Sequence, residues 1–307
     1  MDRLDAMEVF VTAVEAGSLS AAGRKLGMPL PTISRKLSEL EAHIKTRLLN
    51  RSTRQLTLTD AGQSYLAACK QILEAVREAE SAAAGEYSAP RGQLTVTAPI
   101  VFGRLHVLPV TTDFLRAYPE VDVELVLGDR SLDLLEEHID LAVRIGVLPD
   151  SSHVATRVGT IRQVVCASPA YLAEHGTPNE PNDLTRHACV TFAGFRQPAA
   201  WTFKTGRDTL TIPVHSRLVV NTAEAAIDAA LAGAGLTSVL SYQVESAVQS
   251  GALQIVLADF EPAPLPVSLV YAGQRQLPQK LRAFLDFATP RLRDRLAKET
   301  GLGKNIR

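Results

Sequence analysis

The stretch SLSAAGRKLGMPLPTISRKLSELE, from Ser18 to Glu41, constrains the fold more than any other segment of the chain. It holds two short helical patterns split by Gly27, Pro29 and Pro31. In the first, Ala22 and Leu26 fall one turn apart, Ser18 and Ser20 are candidate N-caps, and Gly27 closes the helix. In the second, Ile33, Leu37, Leu40 and Ile44 are spaced four, three and four. That spacing makes an inward stripe and turns Thr32, Arg35, Lys36 and Glu39 elsewhere. Pro31 suits a first turn, whose amides lack intrahelical partners, and Pro29 pushes Met28 away from helical geometry. The chain must therefore make a sharp turn between two helices. Ahead of them, Met7, Phe10, Val11 and Val14 repeat at helical spacing up to Gly17.

Charge is concentrated at the same place. From Arg24 to Arg54 there are eight bases and two acids, a local charge of +6 in a 307-residue chain whose net charge is −1. A basic patch on a compact helical unit is the footprint of a nucleic-acid binder. The run LLNRSTRQLTLTDAG then reads as a hairpin with arginines at its tip, the wing of a winged helix-turn-helix. The DNA-binding set is Ser20, Pro31, Thr32, Ser34, Arg35, Lys36, Arg51 and Arg54. In it Thr32 and Arg35 read bases, Pro31 sets the approach of the helix, and Ser34, Lys36, Arg51 and Arg54 contact phosphates.

From Ala21 to Gly62 the chain resembles the LysR-type transcriptional regulators. The resemblance rests on Ala21, Ala22, Ile33, Ser34, Arg35, Leu40, Glu41, Leu48 or Leu49, Arg51, Leu58, Thr59 and Gly62. Pro29 and Leu30 stand where many members carry Ser-Gln, so the bidentate base contact of that glutamine passes to Thr32 and Arg35.

From Thr59 to about Tyr87 one long helix is expected. Leu66, Cys69, Leu73, Val76 and Ala83 lie at heptad-like spacing on one seam, which either pairs with a second copy or lies on its own domain. The resemblance implies pairing, and with it a homodimer or homotetramer that bends promoter DNA. A turn-rich hinge follows, and beyond it strand and helix patterns alternate, the grammar of an α/β unit with a mostly parallel sheet.

The fold class is thus α/β multidomain. The expected units are a winged helix-turn-helix over 1–59, a linker helix over 60–87, a hinge over 88–93 and an effector domain over 94–300. The resemblance divides the effector domain into a pair of lobes, like a type 2 periplasmic-binding protein, with lobe I over 94–165 and 267–300 and lobe II over 166–266. Ligands of such sheets sit at the carboxyl ends of strands. The effector set is therefore Thr97, Ala98, Pro99, Ile100, Gly128, Arg144 and Gly146 from one lobe, with Phe192, Asn221 and Thr222 from the other. Thr97 and Asn221 either bind an effector or cap the helices that follow them, and Arg144 either meets the ligand or serves as an ion-pair partner.

Cys69, Cys166 and Cys189 are far apart and form neither a disulfide framework nor a zinc pattern. Cys166 reads as a small packed hydrophobe, with redox sensing as the alternative. No phosphate-loop, nucleophile-elbow or metalloprotease motif occurs, so no catalytic residue, metal or cofactor is expected. The acid-bearing N-terminus is unlike a signal peptide and no run of about 18 apolar residues exists, so the expected location is the cytoplasm. The expected partners are double-stranded DNA, a small-molecule effector and RNA polymerase. Two rivals share this grammar, a solute-binding protein with a helical leader and an enzyme on a two-lobed fold, and neither accounts for the +6 patch.

Overall fold

The computed structural model describes residues 2–51, 56–83, 89–130, 134, 137, 139–149, 152–192, 200–206, 208–273 and 277–302. The chain opens with α1 (Arg3–Glu15), α2 (Leu19–Leu26) and α3 (Leu30–Ile44), then β1 (Leu49–Arg51) and β2 (Leu56–Leu58). Ser18 caps α2 by accepting from the Ala21 amide at 3.2 Å. Ser20, the other candidate cap, lies inside α2, because the extended backbone that a cap needs occurs at Ser18. Gly27 closes α2 with φ of 65°, a left-handed conformation that glycine adopts without a Cβ clash. Pro29 occupies the cap position of α3 and Pro31 its first turn. Ile33, Leu37 and Leu40 meet Ala6, Val9 and Phe10 of α1 and Ala22 of α2 in one buried core. β1 and β2 pair antiparallel, with Leu49 opposite Leu58. The tip between them, Arg54 included, lies outside the described residues.

α4 (Asp60–Ala83) follows. The Thr59 hydroxyl accepts from the Gly62 amide at 3.0 Å and donates to the Arg47 carbonyl at 2.7 Å, which ties the helix start to the wing. The expected pairing seam is divided. Cys69 is fully buried in the N-terminal core and Leu66 packs against it, because α1 crosses the first half of α4, where Phe10 meets Tyr65 at 5.8 Å. Ile72, Ala75 and Ala79 are exposed and Val76 is half-buried, so the outward apolar stripe starts further along than the sequence suggests.

The remainder forms two lobes. The first begins with β3 (Gly92–Ala98), which takes in Gly92 and Gln93 from the expected hinge. It continues through α5 (Ile100–Phe102), a π-turn over Gly103–Val107, α6 (Leu108–Ala117), β4 (Val121–Leu127), β5 (Leu141–Ile145) and β6 (His153–Ile161). The second lobe contains β7 (Gln163–Ala167), α7 (Pro169–His175), β8 (Ala188–Phe192), β9 (Ala200–Thr205), β10 (Asp208–Pro213), β11 (His215–Val220), α8 (Ala223–Leu231), β12 (Leu236–Leu240), α9 (Ser241–Gln249) and β13 (Gln254–Val256). β14 (Leu265–Ala272) and α10 (Gln279–Leu302) return to the first. Most of the LDLLEEH stretch over 132–138, one of the alternating helical patterns, lies outside the described residues.

The sheets have strand orders β4-β3-β5-β14-β6 and β11-β8-β12-β7-β13. In each, three parallel strands are extended by two more joined through antiparallel pairings, a more mixed arrangement than the alternation alone suggests. The first sheet buries Leu94, Val96, Val143 and Leu269 against Phe114 of α6 and Phe284 of α10. The second packs α7 and the β9–β10 hairpin on one face, α8 and α9 on the other.

The chain crosses between lobes twice, as a two-lobed clamp requires. The crossings sit at Arg162 and just before Leu265, a few residues earlier than the expected boundaries, because β7 and β14 pair into their sheets from Gln163 and Leu265. They are also stitched together. Arg162 donates to both Glu261 carboxylate oxygens, at 3.2 and 3.3 Å, and its carbonyl accepts from the Ser241 amide at 2.9 Å. Tyr242, at the start of α9, is set into the first lobe's core, edge-on to Phe102 at 5.6 Å and to His106 at 5.5 Å.

Candidate nucleic-acid interface and ligand cleft

The face of α3 turned away from its buried stripe carries Pro31, Ser34, Arg35 and Ser38. The Arg35 side chain is 71% exposed, and its nearest acid, Glu39, lies at 4.0 Å, a surface pair too loose to hold the guanidinium back from a duplex. Thr32 and Ser34 are half-buried at the margins of this face. Ser20 is exposed on α2. Arg51 ends β1.

Lys36, expected to contact phosphate, is engaged within the head. Its ammonium forms an ion pair with the Asp5 carboxylate of α1. One turn before the buried Leu40, Lys36 lies at the edge of the core stripe, within reach of α1, and its charge is used to hold the two helices together. Glu41 also acts inside the unit, accepting from the Leu48 and Leu49 amides at 2.9 and 3.1 Å and fixing β1 against α3. Lys45 ends α3 with φ of 55°, a left-handed conformation that costs a non-glycine residue roughly 1–2 kcal/mol.

In each lobe three parallel strands end at one edge. These carboxyl edges adjoin, since Tyr242, just after β12, touches Phe102, just after β3. Thr97 is fully buried and its hydroxyl has no hydrogen-bond partner among the described residues. Ala98 accepts from the Gly128 amide at 3.0 Å. Pro99 precedes α5 without a side-chain cap, and the Ile100 amide donates instead to the Asp129 carboxylate at 3.1 Å. Arg144 is half-buried on β5 opposite Ser268, and burial lowers its pKa. Gly146 donates its amide to Pro266 at 2.9 Å.

In the second lobe Phe192 packs against the cluster containing Cys166, Ile227 and Val239. Asn221 is exposed and does not cap α8; Thr222 does, accepting from the Ala225 amide at 3.3 Å. Burial pushes the Cys166 and Cys189 thiols up to about 12 and Cys69 up to about 11, so all three are protonated, packed groups.

Residues 4–63 match the family model described as bacterial regulatory helix-turn-helix protein, lysR family, and residues 88–293 match the LysR substrate binding domain. The chain belongs to the LysR family. Its relatives include an HTH-type transcriptional regulator of Xanthomonas campestris pv. campestris, 38% identical over 92% of this chain and 84% of that one. The HTH-type transcriptional activator AaeR of Escherichia coli K12 is 33% identical over 94% of each. Among solved structures, CrgA, a LysR-type transcriptional regulator from Neisseria meningitidis, is 30% identical with a TM-score of 0.60, covering 94% of this chain and 98% of that one. This LysR-type chain is therefore a DNA-binding transcriptional regulator with a C-terminal effector-binding domain.

Sequence reasoning about this regulator passed over Asp5, Asp129 and Tyr242. Asp5 acts 31 residues from Lys36 and Asp129 29 residues from Ile100, and no local spacing links such pairs. Pro99 offered a partial signal for Asp129, because a proline at a helix start leaves capping to another segment. Among the described residues no helix is long and apolar enough to cross a membrane.

Proposed function

We propose that this regulator reads its operator through Thr32 and Arg35, with Pro31 setting the approach of α3. Ser20, Ser34, Arg51 and Arg54 contact phosphates, while Lys36 stays with Asp5. The observation that carries this reading is the exposed Arg35 on a helix whose opposite stripe buries Ile33, Leu37 and Leu40. Phosphate contacts fix register and base contacts carry the sequence information.

The outward stripe of Ile72, Ala75, Val76 and Ala79 on α4 supports pairing with a second copy. So do two apolar edges of the effector domain, Leu108, Leu115 and Leu127 on one side and Leu218, Val219 and Leu231 on the other, which suit a twofold arrangement. Two heads on one axis then read two half-sites.

The effector, a small molecule, sits between the carboxyl edges of the two sheets, against Thr97 to Ile100, Gly128, Arg144 and Gly146 and opposite Phe192, Asn221 and Thr222. It regulates by favouring one quaternary state, because a ligand with equal affinity for both shifts nothing. Bending a site of 20–30 base pairs by 40–90° costs on the order of 1–6 kcal/mol, a range such a ligand can offset. The protein works in the cytoplasm, contacts RNA polymerase and turns over no substrate.

A gel shift with the duplex upstream of the chain's own coding sequence tests this reading. Retardation that survives excess random duplex supports it. Equal competition by both duplexes contradicts it. A shorter or longer footprint on adding a metabolite identified by thermal shift on the full chain supports the effector role, and an unchanged footprint contradicts it.

A further inference from the structure

A groove of about 590 Å³ opens between the C-terminal half of α3 and β1, lined by Ser38, Ala42, Lys45, Thr46 and Arg47, with Glu41 on its wall. It continues the face that carries Arg35. Pro31, Arg35, Ser38, Ala42 and Lys45 follow at steps of four, three, four and three, one stripe of the helix. From Arg35 to Lys45 the stripe runs about 15 Å, the span of roughly four nucleotides of one strand.

Three features set the chemistry. Lys45 and Arg47 are exposed and, among the described residues, neither forms an ion pair. Glu41, the acid of the groove, has its carboxylate engaged by two backbone amides. Lys45 is one of only two non-glycine residues with positive φ among those described, at a helix end where glycine fits without strain. A lysine held there at a cost to the backbone presents an ammonium beside Arg47 that glycine cannot supply.

We propose that this groove seats a phosphodiester segment flanking the bases that Arg35 reads. Lys45 and Arg47 are its cations; the Ser38 and Thr46 hydroxyls, which donate to the Ser34 and Ile44 carbonyls at 2.9 and 3.3 Å in the free protein, turn to the phosphate as neutral donors. The proposal rests on the DNA-reading face described above. A duplex is favoured over an acidic protein because α3 already brings a polyanion to the adjoining turn of the same face.

The test uses the full chain and a labelled duplex of scrambled sequence, with affinity followed by fluorescence anisotropy as NaCl is raised. Lys45→Gln keeps the left-handed backbone and removes the charge, and Lys45→Gly removes both charge and strain. Both variants are expected to lower the slope of log affinity against log salt by about 0.9, the release from one phosphate. Lys45→Gly is expected to do so with a Tm no lower than that of the natural chain. Unchanged slopes in both overturn the proposal, as does a slope that falls only where Tm falls. Failure of the natural chain to bind any duplex would overturn the DNA-reading face itself, a distinct result.

Discussion

The N-terminal head and the effector domain teach opposite lessons about where function is encoded. In the head, the turn, the buried stripe of α3 and the basic patch proposed to meet DNA fall within one short run, around which α1 and the start of α4 close the core. In the effector domain, the proposed cleft draws on β3 and β5 of one sheet and on β8 and β11 of the other, strands that lie more than a hundred residues apart along the chain at the extremes. The head is a local object and the cleft a topological one.

Two glycine substitutions break this comparison most forcefully. A Cβ on Gly62 would lie 2.1 Å from the Leu48 carbonyl, and one on Gly235, where φ is +150°, would lie 2.3 Å from the Ala188 carbonyl. Each alanine variant is expected to cost about 3 kcal/mol or more in its own unit. Gly62→Ala should abolish duplex binding while the effector domain still melts cooperatively in calorimetry. Gly235→Ala should lower the effector-domain transition and spare binding to random duplex. Loss of both transitions in either variant would show that head and effector domain fold as one.

Arg35→Ala sharpens the head. Losing a bidentate base contact should cost about 1–3 kcal/mol on the operator and less on random duplex. Equal losses on both, measured by competition gel shift, would move Arg35 into the phosphate set.

His106 sharpens the contact between lobes. Burial, helped by the nearby Arg295 charge, lowers its pKa to about 4, while an unfolded histidine titrates near 6.5. Between these values the unfolded chain binds a proton that the folded one refuses, so stability is full above about 6.5 and falls with pH toward about 4. At pH 5.5 the loss is on the order of 1.4 kcal/mol. His106→Phe should flatten that region of the stability curve in urea titrations; an unaltered curve would remove His106 as its source. The smallest effect expected is at the wing, where Arg54→Ala should reduce the salt slope by about 0.9, with an unchanged slope excluding it from the phosphate contacts.

The contrast also explains what could be read in advance. Ile33, Leu37 and Leu40 announced the core stripe of α3, and Pro29, Pro31 and Gly27 announced the turn, because helix spacing and capping are local rules. The pairing of Lys36 with Asp5 could not be read in advance, because Asp5 lies on another helix. At Leu66 and Cys69 the seam takes the second of its two readings and lies on its own domain, since a heptad pattern records that a face is apolar but not which neighbour covers it. In the effector domain, Thr222 rather than Asn221 caps α8, and Asp129, distant in sequence, accepts from the Ile100 amide. The stitching of the crossings by Arg162, Glu261 and Ser241 has no local signal, because the three residues meet only after both sheets form.

Amide hydrogen exchange on the full chain, with and without a saturating duplex from upstream of its own coding sequence, tests the central claim most directly. The account predicts slowed exchange in the segment from Ser18 to Thr59, strongest at the N-terminal turns of α3, with cleft peptides around Thr97 and Thr222 unchanged. Exchange in α3 that the duplex leaves untouched, with protection appearing on the lobes instead, would contradict it.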